Sequence, residues 1–455
     1  MLIRRAIHFL GILVLVSLLH STVVVSAQKT EAEQALDLVS RSKSTRQEAI
    51  NWFVERNQKD AIPALIQALR FSGRGDPEIV AALEQLSGEK AGTSWNDWML
   101  WQEKNSDIKP FAGFDQFKSE LYEKIDPRFV EFIFPGVKHE IRLSEIAWGG
   151  VRKDGIPALT NPKLIDPKDA DYLTEDELIF GVSINGDARA YPLRILDWHE
   201  MFNDVIGGVP VSLAYCTLCG SGILFETTVE GRDKPFVFGS SGFLFRSNKL
   251  MYDQQTHSLW NQFTGRPVVG ALTGSGIELK TRPVAITSWA DWLKANPKTR
   301  VISLETGYDR DYEPGKPYGP YFSSPELMFP AVVDETKLKA KDYVFALRSS
   351  GMNKAWPLEL FKKSPVINDT AGVISLTLVG NSKTRTVRAY RTEGEIFKSG
   401  DDAALLMLDG KTWRVSEDAL RGPEGKTYNR LPGHIAYWFA WSGYLGGTGE
   451  VAGTN

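Results

Sequence analysis

Cysteine is nearly absent from this sequence, which has only Cys216 and Cys219 among 455 residues. So low a count excludes a small fold that is held together by several disulfides. An excess of positive charge is also missing, because the formal net charge is −3, and the composition therefore indicates no nucleic-acid partner. After residue 27 there is no run of about 18 apolar residues, so we expect the body of the chain not to span a membrane.

The N-terminus has a long apolar run without Asp, Glu, Lys or Arg. Two arginines precede an apolar stretch from Ala6 to Val25, and small residues stand before a cleavage position after Ala27. This order is typical of a secretory signal peptide, which we predict over residues 1–27. We therefore expect a periplasmic or secreted protein, with a membrane contact only through the leader if it is not cleaved.

Residues 28–109 have the hydrophobic period of amphipathic helices. Apolar residues recur at three- and four-residue spacing over 31–39, 46–57, 61–70 and 77–86. The pattern predicts a small all-helical domain that resembles one helical-repeat unit, to which a protein partner could bind. An aromatic ridge of Trp95, Trp98 and Trp101 follows, and we expect it to pack the helices against the rest of the protein.

Beyond a connecting segment over 110–150, short strand-like runs, glycines and turns predict a mainly β fold with some α, an α+β fold. An offset of 165 residues aligns two parts of this stretch without a gap. We therefore predict two tandem copies of one β-rich unit, named region one (151–303) and region two (334–448), joined by a linker (304–333). The strongest matches are Ala190-Tyr191-Pro192-Leu193 with Ala355-Trp356-Pro357-Leu358, and Asn203-Asp204 with Asn368-Asp369.

The two copies differ where chemistry is expected. At the shared offset Cys216, Cys219 and His199 fall on Asn381, Thr384 and Ser364. Whatever the two thiols and the imidazole do, region one alone does it.

Cys216 and Cys219 lie in a predicted turn between two strands, 209–215 and 223–228. A strand, a Cys-x-x-Cys-Gly turn and a returning strand resemble a metal-binding knuckle, in which both sulfurs point to one side. His199 is the best third ligand because it opens the same hairpin-forming segment, and His257 is second. Thiolates with imidazole suit copper or zinc. We predict such a site from Cys216, Cys219 and His199, with Glu200 as a supporting partner or proton acceptor.

A catalytic centre of this kind would carry out redox or hydrolytic chemistry on a small molecule bound between the two regions. Three other interpretations stay open. The cysteines could be a metal-free thiol–disulfide exchange pair. They could close a structural disulfide, although so short a loop gains only about 2 kcal/mol. They could also be inert core residues of a non-enzymatic binding module.

Several long motifs of the chain resemble the family catalogued as domain of unknown function 3179. The resemblance runs from Val151 to Gly443, and it implies secretion but no activity. In that family the turn reads Cys-Pro-Leu-Cys, so Thr217 departs from the pattern. The position of His257 varies there and that of His199 recurs, which favours His199 as the ligand. The motifs are Asp154-Gly155-Ile156-Pro157, Ala190-Tyr191-Pro192-Leu193, His199-Glu200, Asn203-Asp204, Tyr215-Cys216-Thr217-Leu218-Cys219, Ser241-Gly242, Met251-Tyr252-Asp253, Ser258-Leu259-Trp260 and Ala436-Tyr437-Trp438-Phe439-Ala440-Trp441.

Overall fold

The computed structural model describes residues 29–72, 75–349, 352–445 and 449–453. The predicted signal peptide over 1–27 lies outside the described residues. Within the described part of the chain, no helix is both long enough and apolar enough to cross a membrane. The fold is mixed α+β, as predicted, and its N-terminal part is helical.

The N-terminal helices begin where the sequence supplies capping side chains. Ser42 accepts a hydrogen bond from the backbone of α2, and Asp76 accepts two from α4, whose first residue is proline. The helix α6 lies inside the segment 110–150 that the sequence indicated as a connection. The helices are α1 (Glu31–Asp37), α2 (Lys43–Arg56), α3 (Ile62–Phe71), α4 (Pro77–Ser87), α5 (Trp95–Lys104) and α6 (Phe114–Glu123).

Region one and the residues just before it form strands with two helices between them. The strands are β1 (Ile146–Trp148), β2 (Leu159–Thr160), β3 (Leu164–Ile165), β4 (Leu178–Ile184), β5 (Asp187–Pro192), β6 (Met201–Ile206), β7 (Val209–Cys216), β8 (Ser221–Glu226), β9 (Phe238–Phe245), β10 (Asn248–Asp253), β11 (Leu259–Asn261), β12 (Arg266–Val269), β13 (Thr281–Arg282), β14 (Ala285–Ser288) and β15 (Arg300–Ile302). The helices are α7 (Leu193–His199) and α8 (Trp289–Ala295).

Region two follows the linker, which contains the short helix α9 (Gly319–Ser323). Its strands are β16 (Tyr343–Ser349), β17 (Met352–Pro357), β18 (Val366–Ala371), β19 (Ile374–Asn381), β20 (Thr386–Thr392), β21 (Lys398–Ser399), β22 (Leu405–Leu408), β23 (Lys411–Val415), β24 (Ala419–Arg421), β25 (Thr427–Leu431) and β26 (His434–Tyr437), with β27 (Glu450–Val451) just beyond it. Its helices are α10 (Leu360–Lys363) and α11 (Trp438–Tyr444).

The strands of region one are arranged in three sheets, with the orders β1-β9-β10-β11-β12, β13-β8-β7-β6-β2 and β14-β4-β5-β15-β3. Region two has the orders β26-β16-β17-β27 and β18-β19-β20-β25-β24-β23-β22-β21. Strands β4 to β7 have the same lengths and order as β16 to β19, and each pair of strands starts 165 residues apart. The contacts between the regions are reciprocal, because β26 packs on β8 while β14 packs on β20.

One hydrophobic core joins the N-terminal helices to the first sheet. Trp98 and Phe117 from the helices share it with Ile146 of β1 and Phe243 of β9. The ridge tryptophans are buried in this core, as expected from the sequence. A second core contains residues of both regions, and a third contains the two cysteines together with aromatic residues of region two. The cysteines therefore lie where region one, region two and the linker meet.

Candidate functional site at the Cys-x-x-Cys turn

The two cysteines lie on the predicted hairpin turn. Strand β7 ends at Cys216, one turn of 3₁₀ helix covers Thr217–Cys219, and β8 begins at Ser221, which pairs with Cys216. The two Sγ atoms lie 2.7 Å apart. Both residues are buried, Cys216 with 3% of its surface exposed and Cys219 with none. The turn therefore brings the two sulfurs side by side, with Cys216 nearer to the surface.

Gly220 is required by the shape of this turn. Its φ is +58°, in the left-handed region that residues with a Cβ adopt at a cost. A Cβ at this position would lie 3.0 Å from the ring of Tyr343 and 3.2 Å from the ring of Tyr437. These two tyrosines come from region two, and their hydroxyls are 2.9 Å apart. Region two thus packs directly against the turn that carries the cysteines.

Cys219 is held by the turn between β9 and β10. Its thiol donates to the Ser247 carbonyl at 3.3 Å, and the Asn248 amide donates to its sulfur at the same distance. Burial raises the pKa of the Cys219 thiol well above its usual value, and the neighbouring Cys216 and Glu200 act in the same direction. Cys219 is therefore a protonated thiol at neutral pH.

Glu200 lies beside the cysteine turn in a left-handed conformation, with φ +52°, directly after α7. One carboxylate oxygen accepts from the Thr217 hydroxyl at 2.8 Å and from the Tyr318 hydroxyl at 3.2 Å. The other oxygen accepts from the Lys249 ammonium at 2.8 Å, and both members of this ion pair are buried. A buried ion pair and an unfavourable backbone conformation at one position are typical of functional sites.

His199 makes other contacts. Its Nδ1 lies 2.8 Å from the Pro157 carbonyl oxygen, and its Nε2 lies 2.6 Å from the hydroxyl of Tyr312 in the linker. Burial lowers the pKa of His199 to about 4, so the ring is neutral at pH 7. In the described part of the chain, no three side chains of His, Cys, Asp or Glu are grouped as metal ligands. The structure brings Cys216 and Cys219 together, whereas the imidazole of His199 is engaged elsewhere.

His257, the second histidine considered as a ligand, lies near the connecting segment. Its Nδ1 is 2.9 Å from a carboxylate oxygen of Glu131, and its side chain is 40% exposed. Its ring also packs against Phe132 and Tyr252. This histidine belongs to the boundary between the helices and the first sheet.

The linker covers the cysteine turn, which sequence reasoning did not predict. Tyr321 donates to the Leu218 carbonyl at 2.7 Å, and the Ser247 hydroxyl donates to the Pro330 carbonyl. Together with Tyr318 on Glu200, these bonds fix the linker at three places around the thiols. The linker therefore contributes to the burial of the two sulfurs. The only hint in the sequence was the tyrosine content of the linker. That content does not indicate which residue each tyrosine contacts.

The chain was compared with known protein families, curated proteins and solved structures. A family model described as "Protein of unknown function (DUF3179)" matches residues 153–448. The chain belongs to this family. The match covers most of the chain and bears out the resemblance seen in the sequence motifs. No curated protein and no solved structure gave a match. The DUF3179 match includes the cysteine turn, Glu200 and His199, and it begins after the N-terminal helices.

Proposed function

We propose that Cys216 and Cys219 form a dithiol–disulfide couple that exchanges with a disulfide-bearing partner. The observation that carries the proposal is the position of the two sulfurs, 2.7 Å apart in one buried turn. This chemistry needs only two thiols, whereas a tetrahedral zinc site needs further ligands. The predicted export supports the proposal, since an exported protein works in an oxidising compartment.

The roles of the two thiols are proposed from the exposed fractions of the residues, 3% for Cys216 and none for Cys219. Cys216 is the attacking thiol, because it lies nearer to the surface, and Cys219 resolves the mixed disulfide. The Cys216 thiolate attacks one sulfur of the partner disulfide, and the other partner sulfur leaves with the electron pair. The Cys219 thiolate then attacks the Cys216 sulfur and expels the second partner sulfur. The partner is reduced to two thiols, while the protein gains one disulfide.

Glu200 is the proton acceptor in this scheme. Its carboxylate lies beside the turn, where it accepts from the Thr217 hydroxyl at 2.8 Å, and its negative charge acts on the Cys219 thiol. The Lys249 ammonium holds the carboxylate in place, and the Thr217 hydroxyl connects it to the turn between the cysteines. Deprotonation of the resolving thiol at neutral pH requires such a base.

The test combines a thiol count with elemental analysis of the purified full chain. We expect two thiols after reduction, none after mild oxidation, and a reversible cycle between these states. A Cys216→Ser variant loses the cycle, and an Asn381→Ser variant at the matching position of region two keeps it. Stoichiometric copper or zinc that is lost in Cys216→Ser would contradict the dithiol proposal. That result would support a metal site of Cys216, Cys219 and His199 instead.

A second outcome separates an enzyme from a binding module. If the protein performs its role in the cell with both cysteines replaced by serine, the dithiol proposal is wrong. The N-terminal helices would then be the part to test for a protein partner.

We also propose that region one (151–303) and region two (334–448) are tandem copies of one unit. Strands β4 to β7 and β16 to β19 correspond residue by residue at the offset of 165. Polar contacts correspond as well. The Asn203 side chain donates to the carbonyl of Phe238 and accepts from its N–H, and Asn368 makes the same two hydrogen bonds with Phe397. Superposition of 178–226 on 343–391 in a crystal structure tests this proposal. Different strand connections in the two segments would contradict it.

A further inference from the structure

Asn248 donates a hydrogen bond to the sulfur of Cys219, and this contact is the end of a fixed chain of buried amides. Asn248 has 5% of its surface exposed, and Gln262, the next amide, has none. The Asn248 Nδ2 lies 3.3 Å from the Cys219 sulfur and 3.1 Å from Oε1 of Gln262. Both contacts use the same amide nitrogen.

The direction of these hydrogen bonds is set by the backbone. Nε2 of Gln262 donates to the carbonyl oxygens of Ala214 at 2.8 Å and Ser221 at 2.9 Å. Carbonyl oxygens can only accept, so Gln262 must turn its nitrogen toward them and its oxygen toward Asn248. Asn248 must then present its nitrogen to Gln262. The second N–H of that nitrogen is aimed at the sulfur.

This orientation leaves one atom without a partner. Oδ1 of Asn248 is buried and has no hydrogen bond in the described part of the chain. Buried polar atoms without a partner are rare in native proteins, and each requires an explanation. The explanation here is that the amide network directs an N–H of Asn248 at the Cys219 sulfur. The same orientation leaves Oδ1 of Asn248 without a donor.

We propose that Asn248 is the positioning donor that stabilises Cys219 as the leaving thiolate when the Cys216–Cys219 disulfide is reduced. The proposal rests on the dithiol function above. An incoming thiolate attacks the Cys216 sulfur, the bond between the two cysteines breaks, and the electron pair moves to Cys219. A hydrogen-bond donor aimed at an atom where negative charge develops lowers the barrier to its formation. The Ser247 carbonyl, at 3.3 Å, then accepts from the thiol once Cys219 is protonated.

The experiment measures reduction of the oxidised full-length protein by dithiothreitol. The observed quantities are the rate and the equilibrium constant, the latter in a glutathione redox buffer. Asn248→Leu keeps the size of the side chain but removes the donor, and we expect the rate to fall about tenfold, as for a lost hydrogen bond to a charged group. The reduction potential should fall by less than this factor implies, because Cys219 is protonated at equilibrium and Asn248 stabilises mainly the thiolate.

A second variant protects the test against loss of folding. Asn248→Asp is nearly isosteric and places a carboxylate beside the leaving thiolate, so we expect a larger decrease in rate than for Asn248→Leu. The control is the same substitution at another amide, Asn368→Leu in region two, which removes a half-buried side chain that holds the backbone of Phe397. We expect this control to lose stability without any change in the rate or the potential.

The outcomes distinguish this inference from the function on which it rests. If the wild-type protein cycles between dithiol and disulfide, and the Asn248 variants have the same reduction rate and reduction potential as wild type, the inference is wrong. The dithiol function then stands. If Asn368→Leu slows reduction as much as Asn248→Leu, the effect is one of stability, which also overturns the inference. If wild-type protein has no reducible pair, the dithiol function itself fails.

Discussion

Region one and region two hold their sheets with corresponding polar contacts, but the central aspartate is buried only in region one. Asp204 of region one accepts from Tyr191 at 2.6 Å and from Arg189 at 2.7 Å. Asp369 of region two, 165 residues later, accepts from Trp356 at 2.8 Å and from Lys354 at 3.1 Å. The exposed fraction of the side chain is 6% for Asp204 and 26% for Asp369.

The difference shows where the molecule excludes water. The corresponding carboxylate is buried in region one, which carries the thiols, and partly exposed in region two, which has none. Low solvent access strengthens a hydrogen bond and makes its loss more costly. Matched substitutions in the two regions therefore measure what burial adds to one shared framework.

The largest difference is expected for the paired aspartates. Asp204→Ala leaves the buried Tyr191 hydroxyl without its acceptor, while Arg189 keeps Asp187, and it should lower the free energy of unfolding by about 2–3 kcal/mol. Asp369→Ala should lower it by only about 1–2 kcal/mol, because Asp369 is partly exposed and Lys354 keeps Glu450 and the Thr370 carbonyl as partners. Urea unfolding followed by tryptophan fluorescence measures both losses. Equal losses in the two variants would mean that burial does not separate the regions.

The next effect concerns pH. Burial raises the pKa of Asp197 to about 8, whereas the unfolded carboxyl has a pKa near 3.9. Between about pH 4 and pH 8 the folded state holds a proton that the unfolded state releases, so stability falls as the pH rises through this window. We expect Asp197→Asn to be more stable than wild type at pH 8 by on the order of 2 kcal/mol, with little difference at pH 4.

The control for this prediction is the matching position in region two. Lys362 is exposed and pairs with Glu359 on the surface of α10. Thermal unfolding of Lys362→Met across the same pH range should follow wild type. If Asp197→Asn and wild type have parallel pH profiles, then Asp197 is ionised in the folded state and the prediction fails.

A smaller effect on stability is expected at the cysteine turn. Gly220→Ala adds a Cβ at φ +58° and 3.0 Å from Tyr343, and we expect a loss of about 1–2 kcal/mol. The matching residue in region two is Arg385, which already has a side chain at φ +55° and stacks on Tyr343 at 4.3 Å. In Arg385→Gly the relief of backbone strain offsets the lost stacking, so stability should change by less than about 1 kcal/mol. Unfolding curves of the two variants measure the loss of unfolding free energy in each. A larger loss in Arg385→Gly than in Gly220→Ala would contradict the prediction.

The smallest effect is expected at the positions that match the cysteines. Asn381 is exposed and Thr384 is half-buried, and Thr384 contacts only the hydroxyl of Thr386 among the described hydrogen bonds. Replacing both by serine should change stability by less than about 0.5 kcal/mol. Reaction of the native thiols with a chromogenic disulfide should be unchanged as well. An altered rate of that reaction would show that region two influences the thiols through this turn.

The sequence predicted those parts of the fold that depend on neighbours along the chain. The helices over 46–57 and 77–86 are close to the observed Lys43–Arg56 and Pro77–Ser87, because caps and hydrophobic period are local signals. The predicted strand over 209–215 is observed as Val209–Cys216 for the same reason. The sheet orders were not predictable, since β9 pairs with β1 across almost a hundred residues.

The same limit applies to the candidate site. Cys216, Cys219 and Glu200 come from one short stretch, and the sequence singled them out. Lys249 reaches Glu200 from 49 positions away, and Tyr321 reaches Leu218 from 103 positions away. No periodicity or spacing encodes contacts of that range, because they arise only when separate sheets and the linker pack together. The ligand role predicted for His199 stays a prediction, to be decided by the metal analysis.

The core that the N-terminal helices share with the first sheet determines how the chain can be divided. Lys118 of α6 is fully buried and donates to the carbonyl of Ile146 in β1, while Tyr122 bonds the same oxygen. A chain cut at residue 150 would lose β1 and uncover Phe243 and Leu250, which these helices now shield. The segment that matches DUF3179 therefore shares a core with the helices in front of it, and we expect truncations that retain these helices to be more stable than those that remove them.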